Sequence, residues 1–426
     1  MSLLLFVIAA LMLNIGYYIT DKQLITPAVI SSLVVAGSAF LGFLFEDEWN
    51  MVLHLETVII VAGGLVFILI GNFGAVKLFE GDGNFDIKIK KYHIKNYFMI
   101  VYISFAAYLL YQFYININYF MLTLGNAYVE STDVLLKVRE AKLEHNFEEP
   151  LGLMLATSIN NCFFIVSCYC LSYNIIFCEL KREDIKFIIP IVIYTVTSVL
   201  NAARIDFLGP FFYVISLSVT MLSYKYKPGV VIKKFIIYGG LASFLFLSWF
   251  LLLRYFRGGS FDPFDHLARY ISGGIYCFDR YNIGEAHPFL YSNDFGAHIF
   301  SGFYKLLENF GYCTDITGKS SSADWVAISN FQCNVFSAFA PMIEDLGVIG
   351  CWGLLFIISF LMGGMQQFVF KGKIMGIGLI IFAETMSIFF MICVAEQFFT
   401  AHLTLSRLAH FILVYAFILL LEKWRK

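Results

Sequence analysis

Four groups of charged side chains stand directly beside long apolar runs of this chain. Charge at membrane depth is costly unless it is paired, and it commonly marks a substrate pathway. Arginine presents a planar set of donors that matches phosphate or carboxylate, whereas Asp, Glu and His can accept a proton. The four groups therefore predict an anion site with a proton acceptor beside it. They are Arg204 with Asp206, Arg254 with Arg257, Glu344 with Asp345, and Glu396 with His402 and Arg407.

The composition indicates what must position these groups. The chain has 426 residues, of which 59% are apolar and 14% charged, against roughly 45–50% and 25% in a soluble domain. Its recurring apolar segments predict an all-α polytopic membrane protein with about eleven transmembrane helices in one integral membrane domain over residues 1–426. The segments cover residues 2–19, 27–44, 55–76, 97–115, 151–177, 187–202, 207–224, 235–253, 346–370, 374–394 and 403–421.

The lysines predict the orientation, because short basic loops stay on the cytoplasmic side. Alternate loops are basic, and placing them inside puts the C-terminus in the cytoplasm and the N-terminus outside. Two large loops, residues 116–150 and 254–345, then face outward. The second loop is too long for a plain connection, so we expect it to contain short helices or to carry a function.

Arginine and lysine separate in this topology. Sixteen of the 20 lysines lie inside, but only two of the nine arginines do. Residues 187–224 leave no room for a free loop between two crossings, so Arg204 and Asp206 must lie at the outer interface. An ordinary set of ion pairs, such as Arg204 with Glu344, would also explain the outer charges.

The long outer loop mixes aromatic side chains with Asp and Asn. Ring faces can cover the C–H patches of sugars and carboxylates can accept their hydroxyl protons, which favours a carbohydrate site. The alternative is that these aromatics are interfacial residues on helices lying along the membrane. Candidate sugar-binding residues are Asp265, Arg269, Tyr270 and Tyr281.

Other classes of function find no support in the sequence. The histidines show no compact metal-binding spacing, and no P-loop, GxSxG or GxGxxG motif follows a predicted strand. A net charge of −2 without a basic stripe gives no sign of nucleic-acid binding. Glu384, inside the tenth apolar segment, is either a hydrogen-bonded packing residue or a proton-relay group.

Two segments carry a resemblance to a known family. They are Asn201-Ala-Ala-Arg204 at an outer turn and the stretch from Asn334 to Gly350, which contains Ser337, Glu344, Asp345 and Gly347. With the number of spans and the large late loop, they resemble the bacterial Wzy-type polymerases of oligosaccharide repeat units. The resemblance implies a GT-C-like membrane glycosyltransferase that needs no metal or other cofactor and acts on the outer face of the bacterial inner membrane.

The resemblance also implies the substrates and the partners. Donor and acceptor would be glycans on undecaprenyl diphosphate, and a sugar hydroxyl would displace the lipid diphosphate. A chain-length regulator and a flippase are candidate partners beside membrane lipid. In such a reaction we expect Arg204, Arg254, Arg257 and Arg407 to bind the diphosphate, Asp345 or Glu344 to act as base with His402 as the next candidate, and Arg269, Tyr270, Asp265 and Tyr281 to contact sugars.

Three alternatives stay open at the level of the sequence. An O-antigen ligase would share the donor and the outer-face site but use another acceptor. A flippase or transporter for lipid-linked sugars should have short loops on both faces and charges along the middle of its helices. A non-enzymatic membrane scaffold would make the sorting of arginine a coincidence.

Overall fold

The computed structural model describes eleven parts of the chain. They are residues 1–79, 89–123, 150–200, 205–255, 263–289, 295–309, 311, 326–328, 331–371, 375–402 and 404–424. Side chains in residues 205–207 and 249–255 are not described. Within these parts the protein is almost entirely helical, with one short antiparallel hairpin.

The helices follow one another along the chain with short connections. They are α1 (Ser2–Ile19), α2 (Pro27–Trp49), α3 (Leu55–Leu78), α4 (Asn96–Thr123), α5 (Leu151–Phe177), a 3₁₀ turn (Arg182–Asp184), α6 (Ile185–Leu200), α7 (Ile205–Lys225), α8 (Pro228–Tyr255), α9 (Pro263–Asn282), α10 (Ser301–Asn309), α11 (Phe339–Phe370), α12 (Ile377–Thr385), α13 (Ser387–Phe390), a π turn (Phe398–His402) and α14 (Leu405–Glu422). Strands β1 (Val326–Ile328) and β2 (Phe331–Cys333) pair antiparallel between α10 and α11.

The prediction of a multi-pass helical membrane protein is confirmed. Seven of the described helices are long and apolar enough to cross a membrane: α1, α2, α3, α4, α5, α11 and α14. Helices α6, α7 and α8 cover the sixth to eighth predicted segments. The total of eleven crossings and the GT-C-like fold stay predictions, and short helices do occur in the predicted loop over residues 254–345, namely α9 and α10.

Two boundaries differ from the sequence prediction. Helix α4 continues to Thr123, so the predicted loop at 116–150 begins later, and Asn116 is a buried helical residue. The tenth predicted segment is not one continuous helix, because α12 ends at Thr385 and the short α13 covers only Ser387–Phe390. Polar residues of the sequence Glu384-Thr385-Met386-Ser387 stand at this break, where apolarity alone predicted continuity.

The contacts of the chain divide into two compact units. Unit 1 consists of Met1–Phe85, Phe261–Ile374 and Thr385–Leu408. Unit 2 consists of Asp86–Ser260, Met375–Glu384 and Ala409–Lys426. The prediction of one membrane domain over residues 1–426 and of two outer loops is not tested by this division.

Glycines hold the helices of unit 1 close together. A Cβ added at Gly71 of α3 would lie 2.5 Å from the carbonyl oxygen of Phe356 in α11, and one at Gly363 would lie 2.7 Å from the amide of Asn72. Small residues at such positions let two membrane helices approach at their backbones. Helices α3 and α11 therefore pack along their length with almost no side chain between them at these points.

One end of unit 1 carries lysines and side-chain amides. Gln366 donates to Gln23 over 2.7 Å, and the Lys371 ammonium donates to the carbonyl of Phe79 just after α3. Three of the lysines that the sequence placed inside gather at this end: Lys22, Lys77 and Lys371. The grouping agrees with the predicted topology, while the side of the membrane that it faces stays a prediction.

The opposite end of unit 1 carries acidic residues. Ser2 at the start of α1 donates to Glu46 over 3.3 Å, near the end of α2. Asp279 of α9 is 1% exposed and accepts both the backbone N–H and the ring nitrogen of His54, over 2.9 and 2.8 Å, just before α3. Helix α9 therefore attaches to this end through polar contacts.

Unit 2 contains a carboxylate that joins three segments. Asp184 is buried, and its oxygens accept from the Lys91 ammonium over 2.6 Å, the Asn174 amide over 2.9 Å and the backbone N–H of Lys181 over 2.7 Å. Burial alone acts to raise the pKa of Asp184, but these three donors together hold it below its usual value.

Glu384 takes part in a buried polar cluster of unit 2. Its carboxylate lies 3.2 Å from Nε2 of His410, and Nδ1 of the same ring lies 3.3 Å from the thiol of Cys162. Glu384 is 2% exposed and Cys162 is fully buried. The geometry agrees with a hydrogen-bonded packing role, and a proton-relay role is not tested by it.

The close approach at Gly71 gives a stability prediction. In Gly71→Ala the new methyl group meets backbone atoms of α11, which can move only if the two helices separate, so we expect the free energy of unfolding to fall by about 1–3 kcal/mol. Thermal unfolding of the purified protein in detergent would measure this. Gly74→Ala is the control, because its Cβ would meet Phe360 at 3.7 Å, an ordinary contact. Equal melting temperatures for the two variants would contradict the prediction.

The Asp184 contacts give a pH-dependent prediction. A carboxylate whose pKa is lowered by folding stabilises the protein above its unfolded pKa of about 3.9, and this contribution is lost as the pH falls through the folded pKa. We expect Asp184→Asn to lower the free energy of unfolding by about 1–3 kcal/mol at pH 7. The difference from the wild type should shrink below about pH 4. Glu183→Gln, which removes an exposed neighbouring carboxylate, should change little at either pH, and a difference that is constant with pH would argue against the assignment.

Candidate functional site

A sharp backbone turn at Gly347 shapes the end of unit 1 that carries acidic residues. Gly347 has φ 68° and ψ 176°, a conformation essentially restricted to glycine. A Cβ at Gly64 of α3 would lie 2.4 Å from the ring of Phe339 and 3.1 Å from Leu355. Residues on both sides of the turn thus reach the same level of α3, so residues 339–346 form a short leg that folds back beside residues 348–370.

Glu344 lies on the short leg close to this turn. It is exposed, and one of its carboxylate oxygens accepts the hydroxyl proton of Tyr281, near the end of α9. Burial, together with the neighbouring Glu344, raises the pKa of Tyr281, so its phenol stays protonated. Two residues that the sequence placed in different roles, a base and a sugar contact, are therefore hydrogen-bonded to one another.

Asp345 is bound more tightly than its neighbour. One of its oxygens accepts the backbone N–H groups of His298 and Ile299 over 3.0 and 2.7 Å. These bonds fasten the segment around residue 298 to the short leg. A carboxylate that accepts two backbone donors is a positioning group, because both bonds favour its charged form and leave less room for a substrate.

The ring of His298 is buried next to this carboxylate. It is 4% exposed and packs against Phe289 with 5.0 Å between the ring centroids. Its Nδ1 has no hydrogen-bond partner among the residues that the structure describes. Sequence reasoning missed His298 as a site residue, since a single histidine between Ala297 and Ile299 gives no local pattern.

The segment that follows Asp345's partners also contacts the turn before α14. Phe300 packs against Phe399 with 4.9 Å between the ring centroids, and a Cβ at Gly302 would lie 2.9 Å from Thr404. Through these contacts, one stretch of the outer loop touches both the short leg of α11 and the π turn at Phe398–His402.

Glu396, His402 and Arg407 form the framework of this turn. The Glu396 carboxylate is 5% exposed and accepts the backbone N–H groups of Phe399 and Thr400 over 2.9 and 3.1 Å. Burial raises its pKa against the effect of these donors. His402 lies 3.4 Å from the hydroxyl of Ser387, and the backbone N–H of Arg407 donates to Thr404. The role of His402 as a base and of Arg407 as a diphosphate ligand stay predictions.

Three predicted sugar contacts lie on α9, and two of them pair with each other. The Asp265 carboxylate accepts from the Arg269 guanidinium and from the indole N–H of Trp49, both over 2.8 Å. Arg280 likewise pairs with Glu285. For these arginines the geometry fits the ordinary ion pairs that the sequence left open as an alternative. Tyr270 is half-buried on the same helix.

Three of the predicted diphosphate ligands are not located by the structure. Arg204 and Arg257 lie outside the described residues, and Arg254 stands in the last turn of α8 without a described side chain. All three belong to unit 2, whereas Arg407 belongs to unit 1. Within the described parts, no group of three or more His, Cys, Asp or Glu side chains is arranged to hold a metal ion.

The two donors on Asp345 predict a structural effect of its replacement. Asp345→Asn puts an amide where backbone N–H groups need an acceptor, so we expect the segment around residue 298 to loosen and the free energy of unfolding to fall by about 1–3 kcal/mol. Hydrogen exchange of the His298 and Ile299 amides would report this directly. Glu344→Gln, one residue away, should leave the exchange of both amides unchanged, and equal protection in Asp345→Asn and the wild type would contradict the prediction.

Comparison of the chain with protein-family models, with curated proteins and with solved structures gave no match in any of the three.

Proposed function

We propose that this protein is a membrane glycosyltransferase that polymerises oligosaccharide repeat units linked to undecaprenyl diphosphate. In this proposal a hydroxyl of one lipid-linked glycan displaces the lipid diphosphate of another. The reaction takes place on the outer face of the bacterial inner membrane, and the product is a longer O-antigen or capsule chain. The family resemblance of the sequence and the placement of Glu344 support it together.

The placement of Glu344 is the observation that carries the proposal. Its carboxylate is exposed at the end of unit 1 away from Lys22, Lys77 and Lys371, and one of its oxygens is aligned by the buried phenol of Tyr281. A general base has to be reachable by the substrate and held in orientation by another group. Asp345 is committed to two backbone donors, so Glu344 is the better candidate.

The proposed chemistry is one displacement at an anomeric carbon. Glu344 accepts the proton of the attacking hydroxyl while the new C–O bond forms, and the bond to the diphosphate oxygen breaks. The electron pair leaves with the lipid diphosphate, whose growing charge requires nearby cations. Arg204, Arg254, Arg257 and Arg407 remain the candidates for that role, because a guanidinium can bind two phosphate oxygens at once.

Asp345 takes a different role in this scheme from the one that its sequence position predicted. It is a positioning residue that fastens the segment around residue 298 beside Glu344. Arg269, Asp265 and Tyr270 would form the wall of the site and reach a sugar only with the face that their mutual contacts leave open. Tyr281 would act through Glu344.

Reconstitution tests the proposal. In proteoliposomes given a purified lipid-linked repeat, we expect the wild type to produce a ladder of longer glycans. We expect Glu344→Gln to lower the rate by at least about 100-fold, since general base catalysis contributes 10²–10⁴-fold. Tyr281→Phe removes only the aligning hydroxyl, and we expect a smaller loss. Glu285→Gln, which replaces another exposed carboxylate of unit 1, is the control and should keep full activity.

Other outcomes would replace the proposal. Movement of the lipid-linked repeat across the bilayer without elongation would indicate a flippase. Transfer to a lipid A core without a ladder would indicate a ligase. A ladder of wild-type length and rate from Glu344→Gln would remove Glu344 as the base and return His402 to first place.

A further inference from the structure

Unit 2 contains a polar cavity within helices that the sequence predicts to cross the membrane. The cavity has a volume of about 340 Å³ and lies among α5, α6 and the beginning of α7. Polar side chains line it from two helices: Thr157, Ser158 and Asn161 on α5, and Tyr194, Thr197 and Ser198 on α6. None of its lining residues is charged. Polar surface of this kind is expensive among membrane helices unless a partner satisfies it.

The hydroxyl groups of the cavity have their own protons engaged. Ser158 donates to the carbonyl of Met154 over 2.9 Å, and Ser198 donates to that of Thr195 over 2.8 Å. Thr197 donates to the carbonyl of Tyr194 over 3.0 Å. A hydroxyl has one proton and two lone pairs. These oxygens therefore offer acceptors to whatever fills the cavity.

Asn161 adds a further acceptor. Its Oδ1 is buried and has no hydrogen-bond partner among the described residues. The neighbouring Asn160 shows the opposite situation, since it accepts from Tyr102 over 2.9 Å and donates to Thr197 over 3.1 Å. Asn160 is thus part of the packing between helices. Leaving Oδ1 of Asn161 unpaired costs about 1–3 kcal/mol, which favours a bound donor.

We propose that this cavity binds a neutral group with several adjacent hydroxyls. Such a group supplies the donors that the lining oxygens lack, whereas a phosphate brings only acceptors and negative charge. The volume is at the lower end of the range of about 300–1,000 Å³ for small-molecule sites, which fits a single ring-sized group. Tyr194, stacked on Phe164 with 4.3 Å between the centroids, gives the cavity one rigid aromatic wall.

The ligand can come from two sources with this chemistry. One is a sugar ring of a glycan, and the other is the glycerol headgroup of phosphatidylglycerol. The inference goes beyond the proposed polymerase, because none of the residues assigned to catalysis lines the cavity. Failure of one therefore leaves the other untouched.

Photochemical labelling distinguishes the two sources. The full-length protein would be placed in phosphatidylcholine nanodiscs with one of three probes: an alkyl glucoside with a diazirine on the sugar, phosphatidylglycerol with a diazirine on its headgroup glycerol, or phosphatidylcholine with a diazirine on its headgroup. Cross-linked residues would be mapped by mass spectrometry. We expect labelling of residues 157–161 and 194–198 by the first or the second probe, and background labelling by the third.

Variants make the labelling specific to the cavity. Asn161→Leu removes the buried acceptor and fills space, and we expect labelling to fall by at least about tenfold, as loss of a charge-free hydrogen bond with added bulk would give. The matched control Asn14→Leu replaces an exposed asparagine on α1 and should leave labelling unchanged. Should Asn161→Leu fail to fold, the double variant Thr157→Val with Ser198→Ala keeps the shape and should lower labelling by about threefold to tenfold.

Three results would overturn the inference. One is labelling of the cavity residues by the phosphatidylcholine probe as strong as that by the hydroxyl-bearing probes. Another is labelling that persists in Asn161→Leu and in the double variant. The last is absence of label from both segments with the glucoside and with phosphatidylglycerol.

Discussion

The backbone turn at Gly347 is the constraint on which the polar end of unit 1 depends. Its conformation suits glycine alone, and it lets the chain fold back so that Phe339 and Leu355 both pack at Gly64. A straight helix through residue 347 would carry Glu344 and Asp345 a further turn or more away from α3. Because the turn exists, Glu344 meets Tyr281, and Asp345 meets the backbone of the segment around residue 298.

Around that turn, buried charge is balanced by fixed donors. Asp279 accepts from His54, Asp345 from two backbone N–H groups, and Glu396 from the N–H groups of its own π turn. A carboxylate that is satisfied in this way stabilises a loop and is poorly available to a substrate. Glu344 differs from these three because it is exposed and is aligned by a phenol. Rigid surroundings and one accessible group are what an active site needs.

The sequence predicted the helices well and the site partly, and the reasons are physical. Membrane helices announce themselves by long apolar runs, so ten of the eleven predicted segments coincide with single helices or with one leg of α11. The break in the tenth segment depends on tertiary contacts and left only a weak polar signal at Glu384-Thr385. The pairing of Asp265 with Arg269 follows from their i, i+4 spacing on a helix and could have been predicted. The contact of Tyr281 with Glu344 joins residues 63 apart, and no local pattern encodes it.

The two units handle polar groups in different ways, which bears on what each can bind. In unit 1, charged side chains meet fixed donors at one end of the helices, a setting suited to proton transfer and to anions. In unit 2, the cavity of α5 and α6 offers neutral oxygens whose protons are already engaged. Neutral acceptors discriminate poorly between related hydroxylated groups but strongly against phosphate, since two acceptors cannot bond and the charge would lose its water. A lipid-linked glycan contains both kinds of group, a hydroxylated ring and a diphosphate. A chain that keeps acceptors and cations apart can therefore bind the two ends of such a molecule in a defined order.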